Sequence, residues 1–176
     1  GVGFWQLIPL KTVETALVSK DASNRAQVEF VGGTWTPDTD MKAAWLSDWA
    51  MALTEVNAAT WERNVARVTS QAVGTARDQI RDYLRQEGNQ PAVLLKEKPA
   101  YVREYKLLSV NNVASNVVLL RFTLISRPSP GSTKAVGAFA LTATLATVKP
   151  ETRAQAVANP TGLVVSNFNI AEDTLK

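Results

Sequence analysis

Asp48, Glu55, Tyr83, Tyr101 and Tyr105 are side chains of this sequence with the chemistry for general acid–base work. A proton-transfer pair must converge on one reacting atom, and no spacing here marks such a pair. The chain has no histidine and no cysteine. Without histidine a Ser-His-Asp triad is excluded, together with the commonest general base and transition-metal ligand. Without cysteine, disulfides, thiol catalysis and thiolate metal sites are excluded as well. No carboxylate cluster has calcium-loop spacing. Gly32-Gly33 and Gly131 lack the flanking pattern of a phosphate-binding loop. The expectation is a chain with no catalytic residue, no cofactor and no metal.

The strongest local string is structural rather than chemical. Asn159-Pro160-Thr161-Gly162 runs straight into the apolar stretch Leu163-Val164-Val165. Pro160 fixes its own φ and pushes Asn159 toward extended backbone. Gly162 reaches positive φ, which other residues adopt only at a cost. Asn159, Pro160 and Gly162 are therefore a candidate structural or interaction motif. The turn either anchors the last strand or touches a partner.

The elements that position these residues follow from hydrophobic period. Thr12 to Ser19 and Gln27 to Val31 read as a hairpin around Asp21-Ala22-Ser23-Asn24. Thr36 is the expected N-cap of a helix, with Pro37 at its first position. Met41, Trp45, Trp49, Ala52 and Val56 then form one apolar stripe. Trp61, Val65, Val68 and Ala72 form a second. Val73, Ala76, Ile80, Tyr83 and Leu84 form a third, which stops at Gly88-Asn89. Arg77, Arg81 and Arg85 line its other face beside Asp78 and Asp82, as a solvated face does. After residue 90 the period changes to two. Strands are expected over 101–110, 117–126, 136–148 and 163–170, with a turn beginning at Asn111-Asn112 and a connector of one or two helical turns over 150–158. Helices gathered before consecutive strands mean α+β. The expected architecture is N-terminal helices packed on the concave face of a curved four-stranded antiparallel sheet, in the manner of a cystatin-like or nuclear-transport-factor-two-like domain.

Four of the five tryptophans cluster before and within the first two helices. Trp35, Trp45, Trp49 and Trp61 are candidate core or interface aromatics, because large aromatics dominate both settings. The first ten residues are apolar and uncharged. Phe4 and Trp5 there are candidate membrane-interface residues, since such rings settle at the lipid–water boundary. A tag remnant or an ordinary first strand reads the same way. No stretch approaches the roughly 20 apolar residues of a spanning helix.

The 176 residues suit one domain, and 45% are hydrophobic, enough for a sizeable core. Net charge is +3. Residues 1–88 carry 9 Lys+Arg against 11 Asp+Glu, and residues 89–176 carry 10 against 5. A split of this size reads as ordinary solvated surface ahead of one that faces an acidic partner or a membrane. No Lys/Arg-rich run supports DNA contact.

Taken in order, several strings resemble one family. Asn159-Pro160-Thr161-Gly162-Leu163-Val164-Val165-Ser166-Asn167-Phe168 is similar to the ending of the TrbF / VirB-eight family of type IV secretion and conjugation systems. Pro9 to Glu14 resembles that family's first segment after the membrane. Trp35-Thr36-Pro37 leading into Trp45 to Trp49 resembles its first helix, and Leu119 to Thr123 its central strand. The resemblance implies a non-enzymatic assembly component scaffolding inner-membrane subunits. It implies a transmembrane helix preceding residue 1, residues 1–10 as the end of a membrane-proximal segment and 11–176 as a single periplasmic domain. It also implies self-association and contact with other secretion subunits. A small-molecule-binding or isomerase-like domain with a cone-shaped pocket is the alternative that the same architecture allows.

Overall fold

The structure, a computed structural model, describes residues 38–173. The expected hairpin over 12–31, together with Phe4, Trp5 and Trp35, lies outside the described residues. Within them the order is α1 (Thr39–Thr54), α2 (Trp61–Ser70), α3 (Thr75–Arg85), α4 (Pro91–Glu97), β1 (Val102–Ala114), β2 (Val117–Arg127), β3 (Ala135–Thr147), α5 (Arg153–Ala158) and β4 (Leu163–Glu172). The fold is α+β, with the strands in one antiparallel sheet ordered β1-β2-β3-β4.

Helix α1 is capped by Asp38, not by Thr36. The Asp38 Oδ1 accepts the Met41 N–H at 2.8 Å. A carboxylate satisfies an orphan amide and also faces the positive end of the helix dipole, so it prevails over a hydroxyl two residues earlier. The buried face of α1 is wider than the single stripe expected. Trp49, Ala52 and Val56 are buried, whereas Met41 and Trp45 are only half-buried. Ala43, Leu46, Ala50 and Leu53 complete the face. Helix α1 contacts α2 on one side and β1 and β2 on the other, which demands an apolar arc rather than a stripe.

Two further elements differ from the sequence reading. A fourth helix, α4, occupies Pro91–Glu97, where the sequence reading placed no element. Pro91 opens it at a position where the missing N–H costs nothing. Strand β1 runs through Asn111-Asn112, and the turn is confined to Ser115-Asn116. Asn111 pairs with Leu119 and Asn112 with Val118, so β-sheet pairing overrides the turn preference of asparagine.

The core lies between α1 and the sheet. In β2 the residues Val118, Leu120, Phe122 and Leu124 alternate inward. Across the β2–β3 ladder Leu120 faces Leu141 and Phe122 faces Phe139. The Phe122 ring lies 4.8 Å from Tyr105 and 6.0 Å from Phe139, centroid to centroid. Trp49 meets Phe168 edge-on at 5.2 Å and 72°. Each such buried side chain contributes about 2 kcal/mol by area. Trp49, Leu46, Phe122, Leu120 and Leu141 together fill the space over the inner face.

Both sheet edges are partly covered by chain from the helical layer. At the start of β1, Val56 and Arg103 exchange backbone hydrogen bonds at 3.1 and 2.9 Å. At β4, the linker between α2 and α3 forms a parallel bridge: Val165 N–H donates to Gln71 O and Val73 N–H to Val165 O, both at 2.9 Å. One turn into α3, Gln79 takes the Phe168 N–H on its Oε1 at 2.8 Å. Edge groups covered in this way are no longer templates for stray pairing. No described helix is long and apolar enough to cross a membrane.

Candidate assembly surface at the Asn-Pro-Thr-Gly corner

Helix α5 delivers the chain to this corner. It is six residues long and starts with a capping box: Thr152 Oγ1 accepts Gln155 N–H at 3.1 Å, and Gln155 Oε1 accepts Thr152 N–H at 3.3 Å. It buries no residue, and Val157 is 73% exposed. Asn159 is its C-cap. The Gly162 N–H then donates to Asn159 O at 3.0 Å, closing a four-residue turn. Asn, Pro and Gly stand where such a turn prefers them, at its first, second and fourth positions.

Both ends of the Asn159 amide are engaged. Its Nδ2 donates to Leu163 O at 2.8 Å, and its Oδ1 accepts from Trp45 Nε1 at 3.1 Å. A carbonyl can only accept and an indole N–H can only donate, so these partners fix the orientation of the amide. Thr161 Oγ1 accepts the Leu163 N–H at 3.2 Å and lies 3.4 Å from Asn159 Oδ1. Asn159 thereby joins α1, the end of α5 and the start of β4.

Gly162 is required by space as well as by backbone. Its φ is +71°, and a Cβ there would lie 2.5 Å from the carbonyl oxygen of Val148. Its own carbonyl accepts the Val148 N–H at 2.7 Å. The close approach of two backbones leaves no room for a side chain. Pro160 is exposed at the tip.

A cavity of about 370 Å³ opens beside the turn, between the α2–α3 linker, the chain after β3, and α5. Its wall includes Gln71, Arg77, Lys149, Asn159, Gly162 and Val164. Gln71 is 6% exposed, and among the described residues its Oε1 has no hydrogen-bond partner. Nothing in the sequence pattern distinguished Gln71, which sits one residue before the expected buried Ala72.

The aromatic candidates separate. Trp49 is fully buried and donates Nε1 to Val68 O at 3.2 Å. Trp45 is half-buried and belongs to the corner. Trp61, also half-buried, opens α2.

The acid–base candidates fall into two separate groups. Tyr105 shares a 2.9 Å hydrogen bond with Ser47 Oγ, and burial pushes its phenol up. Glu55 accepts the Tyr105 backbone N–H at 3.2 Å. Burial raises the Glu55 carboxyl above its ordinary 4.5, that hydrogen bond draws it partly back, and Glu104 raises it further. Asp48 is exposed, and with Glu55 it lines a shallow cavity of about 200 Å³. Tyr83 and Tyr101 lie elsewhere, around the buried Arg103. Burial raises the Tyr83 phenol, and Arg103 partly opposes it. Arg103 donates to Gly88 O at 2.5 Å and to Asn89 Oδ1 and the Tyr101 hydroxyl, each at 3.2 Å. That cation ties the loop after α3 to β1. Its partners are neutral and it faces neither cavity. On the opposite face of α3, Arg81 pairs with Asp78 at 2.9 Å in solvent. Among the described residues no three His, Cys, Asp or Glu side chains gather around a metal-sized space.

The fold has solved counterparts. The VirB8 protein of Agrobacterium tumefaciens superposes with a TM-score of 0.68 at 18% identity, covering 82% of this chain and 99% of that one. A TrwG component of the type IV secretion system of Bartonella birtlesii gives 0.65 at 15% identity, covering 76% and 91%. The periplasmic domain of DotI gives 0.56 at 15% identity, covering 79% and 99%. At these identities the likeness is one of fold. No curated protein sequence matches. The helices and four-stranded meander stand in the order that the hydrophobic period implied, the family profile described as VirB8 protein matches residues 1–173, nearly the whole chain, and this protein belongs to the VirB8 family.

Proposed function

We propose that the protein is a non-enzymatic assembly component of a bacterial type IV secretion, or conjugative transfer, machine. It scaffolds inner-membrane subunits through this domain, which lies in the periplasm and is anchored by a transmembrane helix ahead of residue 1. It self-associates and contacts other secretion subunits. Family membership over residues 1–173 supports the secretion role. The likeness to the periplasmic domain of DotI supports the location. The interior supports scaffolding over a cone-shaped ligand pocket, because Trp49, Leu46, Phe122 and Leu120 fill the space over the sheet.

The observation that carries the reading is at the corner. The Asn159 side chain is committed inward, to Trp45 and Leu163, while Pro160 and Val157 present themselves outward beside it. An exposed surface held by a rigid internal joint is suited to partner contact. Val157→Asp and Pro160→Ala, introduced into the full-length gene, test it by transfer frequency and by melting of the purified domain. Lower transfer with unchanged melting is the expected result. Transfer that falls only in variants that also lose stability would reduce the corner to a folding element.

A further inference from the structure

We infer that the cavity beside the Asn-Pro-Thr-Gly corner is a docking site for an acidic peptide segment, which places a carboxylate against Arg77 and Lys149 and a backbone N–H within reach of Gln71.

The inference rests on the reading of this corner as an assembly surface and names the chemistry of what it receives. Three observations carry it. The first is size: about 370 Å³ accommodates a short stretch of chain and exceeds what one ordered water fills. The second is Gln71. A buried acceptor without a partner costs stability, and native structures retain few of them. Gln71 is more than nine-tenths buried in the cavity wall, and among the described residues its Oε1 is unpartnered. Its backbone is held, with Gln71 O accepting Val165 N–H at 2.9 Å. The oxygen itself is shut off from solvent, so a turn of the Gln71 side chain toward the cavity is what brings it to a donor there.

The third is charge. Arg77 donates Nε to Ala72 O at 2.8 Å, which fixes the root of its guanidinium and leaves its terminal N–H groups for another acceptor. Lys149 lies in the same wall. Among the described residues neither cation has a carboxylate within ion-pair distance. Glu151 also lines the cavity, so the wall carries one positive charge in excess. A carboxylate satisfies the cations, and the same Glu151 penalises a second negative group. Val73, Val148 and Pro150 supply the apolar remainder of the wall. A ligand that offers one carboxylate, an N–H donor and an aliphatic stem therefore matches the lining. An acidic residue within a peptide has all three. A free small acid has only the first.

The test is a titration of the purified chain with Ac-Ala-Glu-Ala-amide, Ac-Ala-Gln-Ala-amide and acetate. It is followed by calorimetry and by the indole N–H resonance of Trp45, which is bonded to Asn159 in the cavity wall. The acidic peptide is expected to bind saturably, about tenfold more tightly than the glutamine peptide or acetate. Lys149→Glu, on the exposed rim, is expected to remove at least about tenfold of that affinity without changing the melting temperature. Gln71→Leu is expected to bring the peptide down to the affinity of acetate. Absence of a saturable shift overturns the inference. So does equal binding of the two peptides, acetate binding as tightly as the acidic peptide, or a Lys149→Glu chain that binds like the parent. If the peptides fail while Val157→Asp still lowers transfer, the assembly role stands and only this ligand is lost.

Discussion

The indole Nε1 of Trp45 donates to the side-chain oxygen of Asn159 at 3.1 Å, across 114 residues of sequence. This bond joins the first described helix to the turn before the last strand. Trp45→Phe keeps the ring and deletes the donor. It is expected to cost about 1 kcal/mol, and Asn159→Ala more, because that change also frees Leu163 O. A double-mutant cycle in urea should show coupling of about 1 kcal/mol between the two positions. Strict additivity would mean that the bond contributes nothing.

Gly162→Ala is expected to destabilise by at least about 2 kcal/mol, from the left-handed backbone and from the new methyl group. The added Cβ meets Val148 O at 2.5 Å and has to displace a backbone segment that is itself bonded to Gly162 O. Equilibrium unfolding measures the loss directly. A variant as stable as the parent would show that the chain at Val148, just past β3, shifts at no cost.

Trp49→Ala is expected to cost about 3–5 kcal/mol, the range for emptying a large aromatic site. Trp49→Phe separates packing from polarity. It retains much of the contact with Phe168 but strands Val68 O, at a cost of about 1–3 kcal/mol. Thermal melts of the two variants, compared with the parent, give both figures.

Glu55 gives the pH dependence. Its folded carboxyl titrates above its ordinary 4.5, chiefly through burial. The folded state therefore holds the proton more tightly than the unfolded state. The associated stability is full below 4.5 and is lost as pH rises through the folded value. Glu55→Gln keeps an acceptor for the Tyr105 N–H and removes the titration. The variant is expected to melt higher than the parent at neutral pH, with the gap closing as pH falls toward 4.5. A gap that widens on acidification would reverse the sign of the Glu55 contribution.

Strand β2 was legible because 117–126 is dense in Val, Leu, Phe and Ile, as a central strand is, and Val118, Leu120, Phe122 and Leu124 are the side chains it turns inward. The end of β1 beyond Val110 was not, although 101–110 read as a strand. From Lys106 to Ala114 it is exposed, and irregularities in its pairing after Leu107 and Asn112 break the period. Asn111-Asn112 there looked like a turn, since only the partner strand holds them extended. Helix α4 has seven residues, too few to show a stripe, although Pro91 was a fair start signal. Local chemistry marked the turn at Asn159 to Gly162. Its partners could not be read, because Trp45 and Val148 reach it by tertiary packing. The orphaned oxygen of Gln71 is likewise a property of its surroundings and has no signature in the residue order.

The parallel bridge between the α2–α3 linker and β4 has a consequence for timing. Val165 pairs with Gln71 and Val73, Phe168 packs on Trp49, and Gln79 holds the Phe168 amide. All of these ties wait for a strand that the ribosome makes after every described helix. Until β4 emerges, the helical layer has no floor on that side, and its apolar face is exposed to other chains. The vulnerable interval of this domain is the synthesis of the sheet itself, and a chain interrupted just before Leu163 would leave a nearly complete but unclosed domain.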